Sequence, residues 1–321
     1  MRSGIVADFR AREHDTGFGH PEQPARFQAI VTRLEWTGLL QDSHRLESRT
    51  ATDDELALAH DRGYIDLVGR EVAQERYQLS TGDTAISPHS NECARIAAGS
   101  VLAAVDAVFA KVVSNAFCIV RPPGHHASAA RGMGFCLFNN VAIGARYAQE
   151  RYSAERVLIV DWDVHHGNGT EDIFYEDGSV LFFSTHQSPW YPGTGAASER
   201  GEGAGAGTTI NCPFPACTGG AEIFAAFRSQ LVPVLRDFKP DLIMLSAGFD
   251  SRINDPLGEF RLTDDDFRDM TTLLTDLASE YCDDRLISVL EGGYNLQGLA
   301  LASEAHVRAL EGVVKVMSQR A

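Results

Sequence analysis

The chain has 321 residues, 44% of them hydrophobic, and a formal net charge of -16 at pH 7, enough apolar material for one large packed domain. The acidic surplus excludes general affinity for nucleic acid or an anionic membrane surface, and it leaves room for a cationic amine as ligand. No apolar run reaches the roughly 18 to 20 residues of a membrane span, and Asp8 arrives too early for a secretory signal, so the expectation is a cytoplasmic enzyme with no membrane partner.

In chain order, short apolar runs alternate with segments of helical periodicity. The first are a strand over 5–8 and a helix over 24–36, followed by a helix over 91–112, a strand over 116–120 and a helix over 139–151. Strands over 157–161, 180–184 and 208–211 come next, then a helix over 221–238 and a strand over 242–247. A helix over 263–281, a strand over 286–290 and a helix over 299–317 complete the set. Most of the strands are nearly continuous apolar runs, as parallel strands covered on both faces require. Thr263 before Asp264, Asp265 and Asp266 supplies an N-cap and an acidic first turn. Such alternation implies a three-layer α/β fold with a mostly parallel sheet. No linker, repeat or composition break divides the chain, so 1–321 reads as a single domain, with the glycine-rich stretch 193–207 as a surface loop beside the site. The six cysteines include no C-x-x-C pair; Cys93, Cys118 and Cys136 have apolar neighbours, Cys212 and Cys217 pair only weakly by spacing, and free thiols are expected.

In open α/β sheets the ligand site forms outside the carboxyl ends of the strands, and there the chemistry concentrates. His125 and His126 follow the strand over 116–120, and Asp161, Asp163 and His165 follow the next. Asp250 comes after the strand over 242–247, and Glu291-Gly292-Gly293-Tyr294 after the one over 286–290. Asp163 and His165 are two apart, so in extended chain their side chains point the same way. With Asp250 they make a three-ligand site with open positions, suited to a catalytic zinc and also acceptable to Fe(II) or Mn(II). Adjacent histidines diverge and chelate poorly, so His125 and His126 suit acid/base work, with Asp161 orienting one ring and Asn168 the other. Tyr294 could donate a hydrogen bond to a developing oxyanion. Singly, these acids read as well as helix caps and the tyrosine as a packing residue; together they read as an active site.

The stretches Arg121-Pro122-Pro123-Gly124-His125-His126-Ala127, Gly134-Phe135-Cys136-Leu137-Phe138-Asn139-Asn140, Val160 to Thr170, Ala247-Gly248-Phe249-Asp250 and Glu291-Gly292-Gly293-Tyr294 occur in this order. Through them the chain resembles the zinc-dependent histone deacetylases and their bacterial relatives, including the acetylpolyamine amidohydrolases, over most of its length. The resemblance implies a single-domain arginase/deacetylase-type fold on a central eight-stranded parallel sheet. It implies one zinc per chain on Asp163, His165 and Asp250, His126 as general base and acid, His125 assisting electrostatically and oriented by Asp161, and Tyr294 polarising the acyl carbonyl for attack by a zinc-activated water. A structural potassium ion is implied at Asp161, Asp163, His165, Ser184 and Thr185. Asn168, where class I members carry Asp, together with Thr84, Ser87 and Pro88, makes the likeness closer to class II and implies a less basic His126.

The same resemblance puts Gly134, Phe135 and Tyr191 on a narrow tunnel for a linear acylated stem. Leu257 falls at a mouth position where polyamine deacetylases carry Glu, and Asp83 falls at the rim, either to accept substrate hydrogen bonds or to make a turn. The implied activity is hydrolysis of an acylated amine, acyl-lysine first, with an acetylpolyamine or another small amide as the alternative. An arginase-like two-manganese ureohydrolase would need further bridging acids where Ser251 and Arg252 follow Asp250, and intact His125, His126 and Tyr294 weigh against an inactive acyl-binding module. The motifs leave homo-oligomer formation open.

Overall fold

The computed structural model describes residues 2–312. Its strands are β1 Gly4–Ala7, β2 His44–Leu46, β3 Asn115–Ile119, β4 Val157–Asp161, β5 Val180–Gln187, β6 Thr209–Phe214, β7 Leu242–Ala247 and β8 Leu286–Leu290. They form one eight-stranded sheet in the order β2-β1-β3-β8-β7-β4-β5-β6, and every pairing is parallel. This is the expected three-layer α/β architecture.

The apolar runs are continuous because successive side chains enter different cores. Phe117 and Ile119, Leu158 and Val160, and Ile243 and Leu245 fall in one buried cluster. Their neighbours Ala116 and Cys118, Val157 and Ile159, and Leu242 and Met244 fall in the other. The first layer of helices contains α1 Ala25–Trp36, α2 Leu39–Asp42, α8 Gly220–Ala226, α9 Val232–Phe238, α10 Asp264–Tyr281 and α11 Leu296–Leu310. The second layer contains α3 Asp53–Leu56, α4 Arg62–Ala73, α5 Ser90–Phe109, α6 Asn140–Tyr152 and α7 Asn168–Phe174.

Several boundaries differ from the sequence expectation. Strand β2 is a three-residue edge strand with no fully buried position, so no apolar run marks it. The segment expected as one helix over 221–238 is α8, a π turn at Phe227–Leu231 and α9. Pro233 has no N–H to give the turn before it, which accounts for an interruption at this place. Helix α11 starts earlier than expected, where Asn295 accepts a hydrogen bond from Gly298 N as N-cap, and it ends at Leu310; the expected continuation over 313–317 lies outside the described residues. All six cysteines are free, and only Cys217 is exposed. Among the described residues no helix is long and apolar enough to cross a membrane.

The four strands followed by chemistry-bearing residues, β3, β8, β7 and β4, are neighbours in the middle of the sheet. Their carboxyl ends therefore open into one crevice.

Candidate active site

The segment after β4 is wound by its own carboxylates. Asp161 Oδ1 accepts from Asp163 N at 3.0 Å, and Asp163 Oδ1 accepts from His165 N at 2.9 Å. Asp250 Oδ1, from the end of β7, accepts from Val164 N at 2.9 Å, and Asp163 Oδ2 accepts from Gly292 N at 2.8 Å. A Cβ on Gly292 would overlap Asp250 Oδ2 and Asp163 Oδ2, so only glycine lets the β8 turn approach this closely. Asp163, His165 and Asp250 are all buried, and one ligand atom from each lies within 4.8 Å of the others.

Electrostatically, the cluster carries more negative charge than it can neutralise. Burial and the neighbouring Asp163 push the Asp250 carboxyl up to about 7. For His165 burial opposes the charge, but the hydrogen bond to Asp163 and the close Asp250 carboxylate outweigh it and raise the imidazole to about 10. Burial would raise Asp163, yet His125 and His165 hold it well below the ordinary carboxylate range. His165 Nδ1 lies 3.0 Å from Asp163 Oδ1 and 3.2 Å from Asp250 Oδ2. The second contact is misdirected for hydrogen bonding, and Asp250 Oδ2 is buried without a partner. Buried polar atoms are nearly always satisfied. A divalent cation that takes nitrogen and oxygen donors fits this orphaned atom and the two donors beside it.

Beside the cluster, His125 Nδ1 donates to Asp161 Oδ2 and His126 Nδ1 donates to Asn168 Oδ1, both at 2.8 Å. In each ring Nε2 is the nitrogen left over. The rings lie 4.0 Å apart between centroids, tilted by 40°, but titrate apart. For His125 burial opposes the charge, yet Asp161 and Asp163 outweigh it and hold the imidazolium well above its ordinary value. His126 hydrogen-bonds only the neutral Asn168; burial, then the charged His125 and His165, outweigh the support of Asp163 and Asn168 and push it well below. Two titratable neighbours driven in opposite directions are an acid/base arrangement.

Tyr294 is held from two sides. Its backbone N–H donates to Asp255 Oδ2 at 2.7 Å, and the Arg26 guanidinium lies 4.9 Å above its ring. Burial outweighs Arg26 and keeps the phenol protonated, well above its ordinary value. Arg26 also donates to Gly293 O and Glu291 O at 2.7 and 2.5 Å, which fixes the Gly292-Gly293 turn.

His126, His165 and Tyr294 meet at a cavity of about 270 Å³ whose other lining residues are Asp83, Gly134, Phe135, Trp190, Tyr191, Pro256 and Leu257. Every residue expected on the tunnel thus lies on one cavity, and Trp190 and Pro256 join them. Gly134 has φ +56°, and a Cβ there would overlap the His126 ring. Asp83 lies in the turn closed by Leu79 N donating to Thr84 O at 2.9 Å, and its Oδ1 accepts from Gly134 N at 2.7 Å. Ser184 sits opposite Asp161 in the β4–β5 register, with Thr185 next to it. His186 Nε2 lies 2.9 Å from Gly195 O, so Nδ1 is free to accept from Ser184 Oγ, also at 2.9 Å, and the serine keeps its lone pairs for a cation.

The positioning roles of Glu291, Glu22, Arg26 and Arg121 were not anticipated from the sequence. Glu291 Oε2 accepts from Gly124 N and His125 N at 2.6 and 3.1 Å, pinning the histidine loop. Glu22 pairs with both Arg26 and Arg121, at 3.0 and 2.7 Å, with no solvent exposure. The one available signal was a Glu22–Arg26 pair four residues apart where α1 begins.

The fold and site define a class: an α/β domain whose central strand ends carry a buried Asp-His-Asp triad that could hold a cation, two oppositely tuned histidines and a tyrosine lining a largely apolar cavity. The Histone deacetylase domain model matches residues 20–310. Similar proteins include "Histone deacetylase 6" of Caenorhabditis elegans, 42% identical in an alignment of 308 residues that covers 91% of this chain and 32% of that protein. "Polyamine deacetylase HDAC10" of Homo sapiens is 41% identical over 91% of this chain and 44% of its own length. Among solved structures the HDA15 HD domain superposes with a TM-score of 0.91 at 38% identity, covering 97% of this chain and 88% of that one. The chain belongs to the histone deacetylase family. It spans about a third of the nematode relative and under half of the human one.

Proposed function

We propose that the chain hydrolyses the amide of an acylated amine, acyl-lysine first, with one zinc ion on Asp163, His165 and Asp250. A structural potassium ion belongs beside it, at Asp161, Asp163, His165, Ser184 and Thr185. The observation that carries the reading is the meeting of His126, His165 and Tyr294 on the floor of one narrow, largely apolar cavity. Such a cavity admits a linear aliphatic stem with a neutral amide at its end.

When bound, zinc supplies Lewis-acid polarisation of an acyl oxygen and a lowered pKa for water. The chain's own groups do the rest. His126 Nε2, left as the acceptor by the Nδ1–Asn168 bond, takes the proton of the attacking water and returns it to the departing amine. Tyr294 donates its hydroxyl hydrogen to the carbonyl oxygen as charge develops there. His125, charged through Asp161, adds a fixed positive field. Leu257 leaves its part of the mouth uncharged, which favours acyl-lysine. A second reading, acetylpolyamine or another small amide, is supported by the exposed Asp83 carboxylate at the mouth and by the likeness to a polyamine deacetylase.

The zinc-loaded protein assayed on acetyl-lysine peptides, longer acyl-lysines, acetylpolyamines and small amides separates these readings. His126→Ala and Tyr294→Phe should each lower kcat by about 10²-fold or more. Undiminished turnover by both variants on every substrate would refute the mechanism.

A further inference from the structure

A circuit of hydrogen bonds runs around the tunnel mouth. On one wall Gly134 N donates to Asp83 Oδ1 at 2.7 Å, and the Tyr191 hydroxyl reaches Asp83 Oδ2 at 3.1 Å. The next link is covalent, since Trp190 precedes Tyr191, and its indole Nε1–H donates to Leu257 O at 2.9 Å. Leu257 N in turn donates to Asp255 Oδ1 at 2.9 Å, the carboxylate whose other oxygen holds Tyr294 N. Edge-on packing of Phe135 against Tyr294, 6.0 Å between centroids, completes the loop back to Gly134.

We propose that Trp190 and Tyr191 are the specificity-determining residues of the mouth: their two hydrogen bonds tie separate walls into a collar of fixed width, which passes an unbranched methylene stem and rejects a branched one. The proposal rests on the hydrolase reading above. Either bond alone is exposed and contributes little by itself. In a closed circuit, however, no wall can move outward without breaking a bond at both of its ends, and linked bonds reinforce one another. The Tyr191 ring lies edge-on to His126 at 5.2 Å between centroids. Its hydroxyl is therefore what decides whether the ring stands fixed beside the stem or swings away. Inside the collar Phe135, Pro256 and Leu257 offer no polar partner, so selection at this level is by shape.

The test compares an acetyl-lysine peptide with peptides carrying one methyl branch at successive carbons of the same stem. Wild type should prefer the unbranched peptide. In Tyr191→Phe, which removes only the hydroxyl, the ratio of kcat/KM for unbranched over branched peptide should fall about tenfold, through a lower KM for the branched peptide. Trp190→Phe, which breaks the other link, should relax selection in the same direction.

A second readout needs no turnover. The chain has three tryptophans, so 5-fluorotryptophan gives three fluorine resonances, with Trp190 assigned by its loss in Trp190→Phe. That line should be single and narrow in wild type and should broaden or split in Tyr191→Phe, while the Trp36 and Trp162 lines stay in place and report an intact fold. An unchanged ratio in both variants, or a Trp190 line indifferent to Tyr191→Phe, overturns the collar. A wild type that turns over neither peptide overturns the hydrolase reading and the selectivity with it, whereas turnover with unchanged ratios overturns the collar alone.

Discussion

Two positions isolate what single residues do in this site. Gly134 stands at φ +56° with no room for a Cβ beside the His126 ring. Gly134→Ala should leave the fold intact, lower stability by about 1–2 kcal/mol for the left-handed backbone, and displace the imidazole enough to reduce kcat/KM by about 10²-fold. Circular dichroism and turnover of the same preparation check both halves; full activity would show that the ring tolerates the methyl group. Asp250 is the other position. Asp250→Ala removes the unpartnered oxygen and one of three convergent donors, so metal content after dialysis should fall from one zinc per chain to a small fraction of that. Zinc retained at full stoichiometry would place the ion elsewhere.

At the scale of elements, legibility in the sequence followed burial. The expected bounds of β4, β7 and β8 coincide with the observed ones, because a strand covered on both faces is an apolar run that begins and ends with the strand. Helix α4 was missed although Tyr64, Ile65, Val68 and Val72 recur at helical spacing on its buried face; Gly63 and Gly69 inside it lower its propensity and mask the pattern. Helix α7 starts at Asn168, within a Gly-Asn-Gly sequence that reads as a turn. It is the tertiary setting, with Thr170 N donating to His125 O at 3.1 Å, that holds it. The residues gathered at the crevice come from segments that follow strands, where a reading of the sequence looks first; Glu291 also follows a strand, but it and Arg26 act through backbone contacts that leave no pattern. The cap of α10 was legible as well. Thr263 and Asp266 exchange hydrogen bonds as a capping box, so Thr263→Ala should lower stability by about 1 kcal/mol and Thr263→Ser by much less, as read from urea midpoints. Equal losses would assign the effect to the methyl group instead.

At the scale of the whole molecule, buried ionisable groups set the response to acid. Burial, partly offset by Glu22 and by backbone oxygens respectively, lowers His14 and His60 to about 4, and burial alone lowers His306 to about 3. The fold binds these three rings neutral while the unfolded chain protonates them near pH 6.5. Their contribution is therefore complete above about pH 6.5 and is lost as pH falls toward 4. Glu22 extends the effect: burial would raise its carboxyl, but Arg121 and Arg26 hold it well below the ordinary range, so its contribution is present above about pH 4.3 and is lost below. The urea midpoint should decline in two stages, beginning near pH 6.5. Glu22→Gln should shrink the lower stage and, by leaving two guanidinium groups short of a partner, lower stability at neutral pH by about 3–5 kcal/mol. A midpoint flat from about pH 7 to 4 would remove the histidines from this account.

Strands β2 and β6, the outer members of the sheet, carry none of the acid/base or proposed cation-binding groups, which leave β3, β8, β7 and β4 or, for Ser184 and Thr185, lie on β5. The reactive geometry is insulated from whatever adjoins the flanks. Extra polypeptide grafted beside an outer strand would not alter the spacing between the inner four. A unit of this kind can be embedded in a much larger protein: in the nematode relative the matching region makes up 32% of the length.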